Sequence, residues 1–446
     1  MTAVPLPNPQ IPGFNFPESE ATILGWSYDL GNNTPGAAAA FTNLHLHGWG
    51  LWAALTMQTS QVDNRAPLRV FETWYTPQEA DQIPLGSSSS ALALLPRRRS
   101  AIQSFAQFSH GLEPRDAVTA VDGSETVFGY VKFDPTAAAH LVKQNLLKAD
   151  TLNQLMLGGA QQIPVFPNTA LTLKSAFQII SARDLVERRF YRLSVWTGPP
   201  ATPQGWGPSQ WPGVVWIDIQ GGGGGAGQVD MAASTDGSSR TAATTYPVSS
   251  MINHRLSGLE AQEFNQSQPG QNAAAGDYAV LVAMHVAGRE ITRWTWQTFW
   301  WTPTPDNPQY PSSPEIASLR PTMLAGPVRN YAMALSYDMI TPGQPNVGGQ
   351  NTGLGIYVYN PYLEARFGPS DLPDSLPGSD PFGRPAANNV GVACNCMSCH
   401  MRANYNPGNL ESAPKYSGSR YTDMNDRQFT GTLQVDLLWS IKELAK

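Results

Sequence analysis

Tyr278-Ala279-Val280-Leu281-Val282-Ala283-Met284-His285-Val286 and, after a short connection, Trp294-Thr295-Trp296-Gln297-Thr298-Phe299-Trp300-Trp301 are the runs that decide the fold. β-Branched and aromatic residues dominate both, which fits a pleated, packed surface. Residues 171–174, 190–195 and 214–219 have the same character, and Pro/Gly-rich connections separate them. A middle of this kind implies sheet packing. Helices are expected before it. Thr34-Pro35 is a helix start, and Phe41, Leu44, Leu51 and Leu55 recur at helical spacing, so 35–57 reads as a helix carrying His45, His47, Trp49 and Trp52. Residues 70–75 read as a short strand, closed by the capping box Thr76-Pro77-Gln78-Glu79. Asp134-Pro135 opens a helix through 147, and 152–157 continues the hairpin. The stretch 81–125 reads as a polar surface excursion. After Pro303 the chain reads as irregular, with one strand at 356–359. Leu433, Leu437, Leu438, Ile441 and Leu444 make an amphipathic end that docks on the body. The expected class is α+β, mainly β: a body of 1–385 with N-terminal helices, and a segment 386–446 packed on it.

Charged residues make up 14% of the 446, against a usual quarter or so. Net charge is −6 and the one basic cluster is Arg97-Arg98-Arg99, read as solvated loop charge, so nucleic-acid binding has nothing to rest on. No run of 18 apolar residues occurs, so no integral membrane segment is expected.

The segment 386–446 contains Cys394-Asn395-Cys396-Met397-Ser398-Cys399-His400. Cys396, Cys399 and His400 form C-x-x-C-H, the pattern of covalent haem attachment. On a helical turn all three leave one face, two thiols for thioether bonds and an imidazole for the iron. Cys394 is expected to point elsewhere. From three cysteines and seven histidines, chance gives this spacing with a probability on the order of 10⁻⁴. A Cys3His zinc site from Cys394, Cys396, Cys399 and His400 is the first alternative, although four ligands within seven residues would crowd the metal. A redox C-x-x-C is the second. Haem ligation of this type requires export. The opening Met1-Thr2-Ala3-Val4-Pro5-Leu6 has no leader character, so the sequence reads as a mature periplasmic or extracellular form with its leader replaced.

His285 ends an apolar run and, if buried, needs a hydrogen-bond acceptor or a metal. The tryptophans of 294–301 suit a core or a flat macrocycle equally.

His47-Gly48-Trp49-Gly50-Leu51-Trp52-Ala53-Ala54-Leu55-Thr56, Glu72-Thr73-Trp74-Tyr75, Trp294-Thr295-Trp296-Gln297-Thr298-Phe299 and Cys396-Met397-Ser398-Cys399-His400 together resemble a group of little-characterised bacterial cytochrome c family proteins. The resemblance implies one haem c on a large β-rich body. His285 and His47 resemble that group's histidines before the aromatic strand and before the Trp-rich helix. Small electron-transfer cytochromes carry the attachment motif near the N-terminus and a methionine ligand well downstream; here Met424 is the one distant downstream methionine.

The leading expectation is electron transfer through one covalent haem c. His400 is the proximal ligand, and His285 or His47, before Met424, is the distal one. The partner is a redox protein or a small-molecule oxidant or reductant. The second is a haem-dependent peroxidase or oxidase with an open distal side, served by His285, His47 or Arg289. The third is a non-haem, zinc-binding structural protein.

Overall fold

The computed structural model describes residues 1–64, 66–83, 97–99, 127–268, 270–337, 357–368, 390–408, 425 and 429–444. The expected surface excursion lies largely outside them, and Met424 lies wholly outside. Among the described residues the chain is a mixed α+β fold, mainly β. Its strands are β1 (Gln58–Asp63), β2 (Ala66–Arg69), β3 (Phe128–Phe133), β4 (Leu171–Ile180), β5 (Leu185–Val186), β6 (Phe190–Val195), β7 (Gly213–Asp218), β8 (Thr245–Pro247), β9 (Asn253–Arg255), β10 (Tyr278–Gly288), β11 (Thr295–Trp301), β12 (Tyr331–Tyr337), β13 (Asn404–Tyr405) and β14 (Leu433–Gln434). The largest sheet runs β12-β11-β10-β4-β3, all antiparallel, with β9 beside the far end of β10. A second sheet, β5-β6-β7-β8, ends in a parallel pair.

Side chains directly opposite each other in a ladder share a face. Met284, Phe299 and Met333 are such a row, and Val131, Lys174, His285 and Thr298 are another, one residue on and so on the opposite face. The first face packs on the helix Ala37–Thr56, the element expected over 35–57. Trp52 stacks on Phe299 with ring centroids 4.5 Å apart, and its Nε1 donates to the Val328 carbonyl. Gly48 makes this approach possible, since a Cβ there would lie 2.7 Å from Met333 Sδ. The second face is covered by the C-terminal segments: Asn360 Nδ2 donates to Thr298 Oγ1, and Ser336 Oγ to Asn395 Oδ1.

A bulge decides where His285 points. Leu281 pairs with Phe177 but Ala283 pairs with Ala176, leaving Val282 as an extra residue on β10. One inserted residue reverses which side chains face which way along the rest of the strand. Without it His285 would lie against the Ala37–Thr56 helix.

Several local expectations need correction. Val70–Thr73 is a 3₁₀ helix, not a strand, and a single bridge joins Tyr75 to Phe133. Glu72 caps this turn by accepting from Arg69 N, a local bond that a strand would lose. The helix from Pro135 ends at Lys143, and a separate one follows over Ala149–Leu157. β12 lies in a stretch expected to be irregular. Of the strand expected over 356–359, residue 356 lies outside the described residues, and 357–359 make one bridge, Val358 to Asn395, rather than a strand. Arg97 and Arg99 are not solvated. Arg97 stacks 4.0 Å over Tyr75 and binds Glu79, while Arg99 is buried against Glu72. Leu433, Leu437, Leu438 and Ile441 are buried, as the docked tail requires. No helix among the described residues is long and apolar enough to cross a membrane.

Candidate functional site

Asn395 caps the short helix Cys396–His400, its side chain accepting from Met397 N at 2.9 Å. The cap is pinned to its neighbours on both sides, because Val358 N donates to the Cys394 carbonyl and Cys396 N to the Val358 carbonyl. Helical spacing then sorts the side chains. Met397 and Met401 are buried in a core beneath the helix, whereas Cys396, Cys399 and His400 line one cleft. The sequence-derived trio is therefore brought together as expected. Cys394 is a correction: it also lines the cleft. Its backbone is extended at φ −108° and ψ 170°, and so is that of Asn395, so residues two apart share a side.

The cleft has a cavity volume of about 120 Å³ and is partly open to solvent, so a ligand of the usual pocket size, roughly 300–1000 Å³, would extend out of it. Its opposite wall is the second face of the large sheet, with Val131, Lys174, His285 and Trp296, and its end wall is Leu438 and Trp439. The Trp296 ring lies 4.1 Å from the His400 ring, tilted by 38°. Trp439 Nε1 donates to the Cys399 carbonyl at 3.3 Å, tying the closing helix Trp439–Leu444 to the cysteine segment.

His400 Nδ1 lies 2.8 Å from the Leu437 carbonyl. A carbonyl only accepts, so in the neutral ring the proton sits on Nδ1 and the lone pair on Nε2. This is the tautomer a metal-bound imidazole needs.

Burial pushes the Cys396 thiol well above its ordinary value. It pushes Cys399 up to about 11, with Arg402 opposing and Glu364 adding to the rise. Both sulfurs are thus neutral thiols at neutral pH in the chain by itself. Among the described residues no group of three or more His, Cys, Asp or Glu side chains is arranged to hold a metal ion by itself.

His285 Nε2 and Glu364 Oε1 are 2.7 Å apart on the cleft wall, and Glu364 Oε2 accepts from Asn360 N at 2.6 Å. Glu364 is a site residue that sequence reasoning missed, because nothing in its local pattern marks it as the partner of a residue 79 positions earlier. His47 does not reach the cleft. It is buried on the other face of the sheet with Nδ1 2.8 Å from Tyr337 Oη and Nε2 3.0 Å from Glu290 Oε1, so both ring nitrogens are committed. Arg289 is not among the cleft-lining residues either; its Nε donates to Asp436 Oδ2 at 3.1 Å.

No protein-family model, no curated protein and no solved structure matches the chain. The functional reading therefore rests on the chemistry of the cleft.

Proposed function

We propose that the chain is a c-type haem protein that transfers electrons through one covalently attached haem, which Cys396 and Cys399 would attach and His400 would ligate. One observation carries this reading: the thiols of Cys396 and Cys399, with that of Cys394 beside them, and an Nδ1-protonated imidazole line a single, largely apolar cleft. The residues fit the group. Cys396 and Cys399 offer two reduced thiols for thioether bonds, Val131 and Trp296 offer apolar surface beside Lys174 and His285, and the Leu437 carbonyl orients His400. When bound, the haem supplies a one-electron iron couple whose potential follows ligand identity, hydrogen bonding and burial. The partner is a redox protein or a small oxidant or reductant, and attachment of this kind places the protein in the periplasm or outside the cell.

A second reading is a haem-dependent peroxidase or oxidase, and the His285–Glu364 pair favours it. A histidine already bonded to a carboxylate is set to hold and move a proton. Ligating iron through Nε2 would exchange that carboxylate for the metal. The third reading, a zinc-binding structural protein, would have to crowd four ligands from seven residues, two of them adjacent, around one metal.

The test is the absorption spectrum of exported, haem-loaded protein with and without carbon monoxide. A c-type pyridine haemochrome and reduced iron that resists carbon monoxide support the carrier. Rapid carbon monoxide binding supports the enzyme. A bare polypeptide mass with both thiols alkylatable overturns both. His285→Ala is expected to change the spin state more than His140→Ala, since His140 donates to the Pro164 carbonyl outside the cleft.

A further inference from the structure

The Leu437 carbonyl reaches His400 from a backbone that an ordinary sequence would avoid. Leu438 N donates to the Val435 carbonyl at 3.0 Å, closing a turn whose two central residues, Asp436 and Leu437, have φ of +47° and +65°. Two left-handed residues in succession are the signature of a type I′ turn, normally made by Asn, Asp or Gly. Asp tolerates that region. Leu does not, and left-handed backbone costs a side-chain-bearing residue about 1–2 kcal/mol. Such a conformation persists only where its surroundings over-determine it.

Asp436 supplies that constraint. Its carboxylate is fully buried, and Oδ2 accepts from Arg289 Nε at 3.1 Å and from Phe166 N at 3.0 Å. Gln162 Nε2 lies 3.4 Å from Oδ1. Arg289 is fixed in turn, its Nη1 donating to the Ile291 carbonyl at 2.9 Å just beyond β10. The turn is thereby bolted to the sheet on one side and to the loop before β4 on the other, and the carbonyl of its second residue is held 2.8 Å from His400 Nδ1.

Resting on the reading of His400 as the iron ligand, we propose that Asp436, clamped by Arg289, is a positioning residue that sets the donor strength of His400 by holding the Leu437 carbonyl on its Nδ1–H. A hydrogen bond accepted from Nδ1–H makes the imidazole a stronger donor and so favours the oxidised iron. Loosening the turn weakens that bond and raises the potential. Groups hydrogen-bonded directly to a metal-bound imidazole change affinity by about 10–100-fold. Asp436 acts one bond further away, and the expected shift in the oxidised-to-reduced equilibrium is roughly threefold to tenfold, tenfold being about 59 mV for one electron.

The experiment compares midpoint potentials of the full-length, haem-loaded wild type with Asp436→Asn, which keeps shape and left-handed tolerance but loses the charge, and with Arg289→Lys. Asp230→Asn is the control. Asp230 is also buried and holds Trp216 Nε1 and Ser239 Oγ, in the loop against β7 and away from the cleft. Both site variants are expected to move to more positive potential, while the control loses stability and keeps the wild-type potential. Loaded site variants with the wild-type potential, or a control that moves equally, overturn the proposal and leave the haem reading standing. A wild type that never acquires covalent haem overturns both. If Asp436→Asn accumulates only unloaded, Arg289→Lys decides.

Discussion

The Cys399 thiol is a sensor of how dry the cleft is. Burial lifts it from 9.0 to about 11 against the pull of Arg402, the Trp439 indole and Lys174. That rise leaves about a hundredfold less thiolate at about pH 8, and only the thiolate is nucleophilic. In protein made without haem and carrying Cys394→Ser and Cys396→Ser, Cys399 is the one thiol left of three. Its alkylation by iodoacetamide, timed by mass spectrometry, is expected to be at least about a hundredfold slower in the native chain than in urea at about pH 8. Limited access lowers the native rate further, so the pH profile is the cleaner readout. The native rate is expected to climb about tenfold per pH step up to about pH 10, while the urea rate levels off near pH 9. A native profile that levels off at the same point as the unfolded one refutes a desolvated cleft.

Three other perturbations have expected outcomes. Gly391→Ala drives a Cβ into the Glu364 carbonyl oxygen, a backbone atom that cannot swing away, so the thermal midpoint and the covalent haem content are both expected to fall; a variant matching the wild type in calorimetry and haemochrome yield would show that this contact is not tight. Trp52→Ala removes a buried indole from the sheet face opposite the cleft and is expected to cost about 3–5 kcal/mol in denaturant unfolding, with an unaltered spectrum of the loaded protein. His45 is neutral in the fold because burial pulls it from 6.5 to about 4, outweighing its bond to the Phe41 carbonyl. As pH falls through 6.5 the unfolded chain takes up this proton first, so the wild type loses stability relative to His45→Met down to about pH 4. The expected total is about 3 kcal/mol, and an equal stability difference at about pH 7 and about pH 4 would rule this out.

What the residues announced in advance was whatever depends on neighbours in sequence. The Cys396–Cys399–His400 face follows from spacing alone, the helix Ala37–Thr56 from its apolar period, and β4, β10 and β11 from β-branched and aromatic density. β12 was hidden because Tyr331-Ala332-Met333-Ala334-Leu335 mixes strand and helix formers, and only pairing with β11 selects extended backbone. The helix Glu20–Gly31 carries a local sign in its Ser19 cap but no strong apolar period to go with it. Site features that depend on long-range geometry had no local sign. Glu364 meets His285 only because a bulge turns β10, Cys394 faces the cleft because its backbone is extended, and the partner of His400 is a main-chain oxygen, which no side-chain pattern encodes.

The walls of the cleft follow a fixed order along the polypeptide. β3, β4, β10 and β11 come first, Glu364 next, then the two sulfurs, and Leu438 and Trp439 after them. Because synthesis runs from the N-terminus, on the haem reading the strands of the platform would be made before the cysteines, and the cysteines before the residues that cover them. The hydrogen bond from Trp439 to the Cys399 carbonyl is thus made by the last-synthesised wall of the cleft.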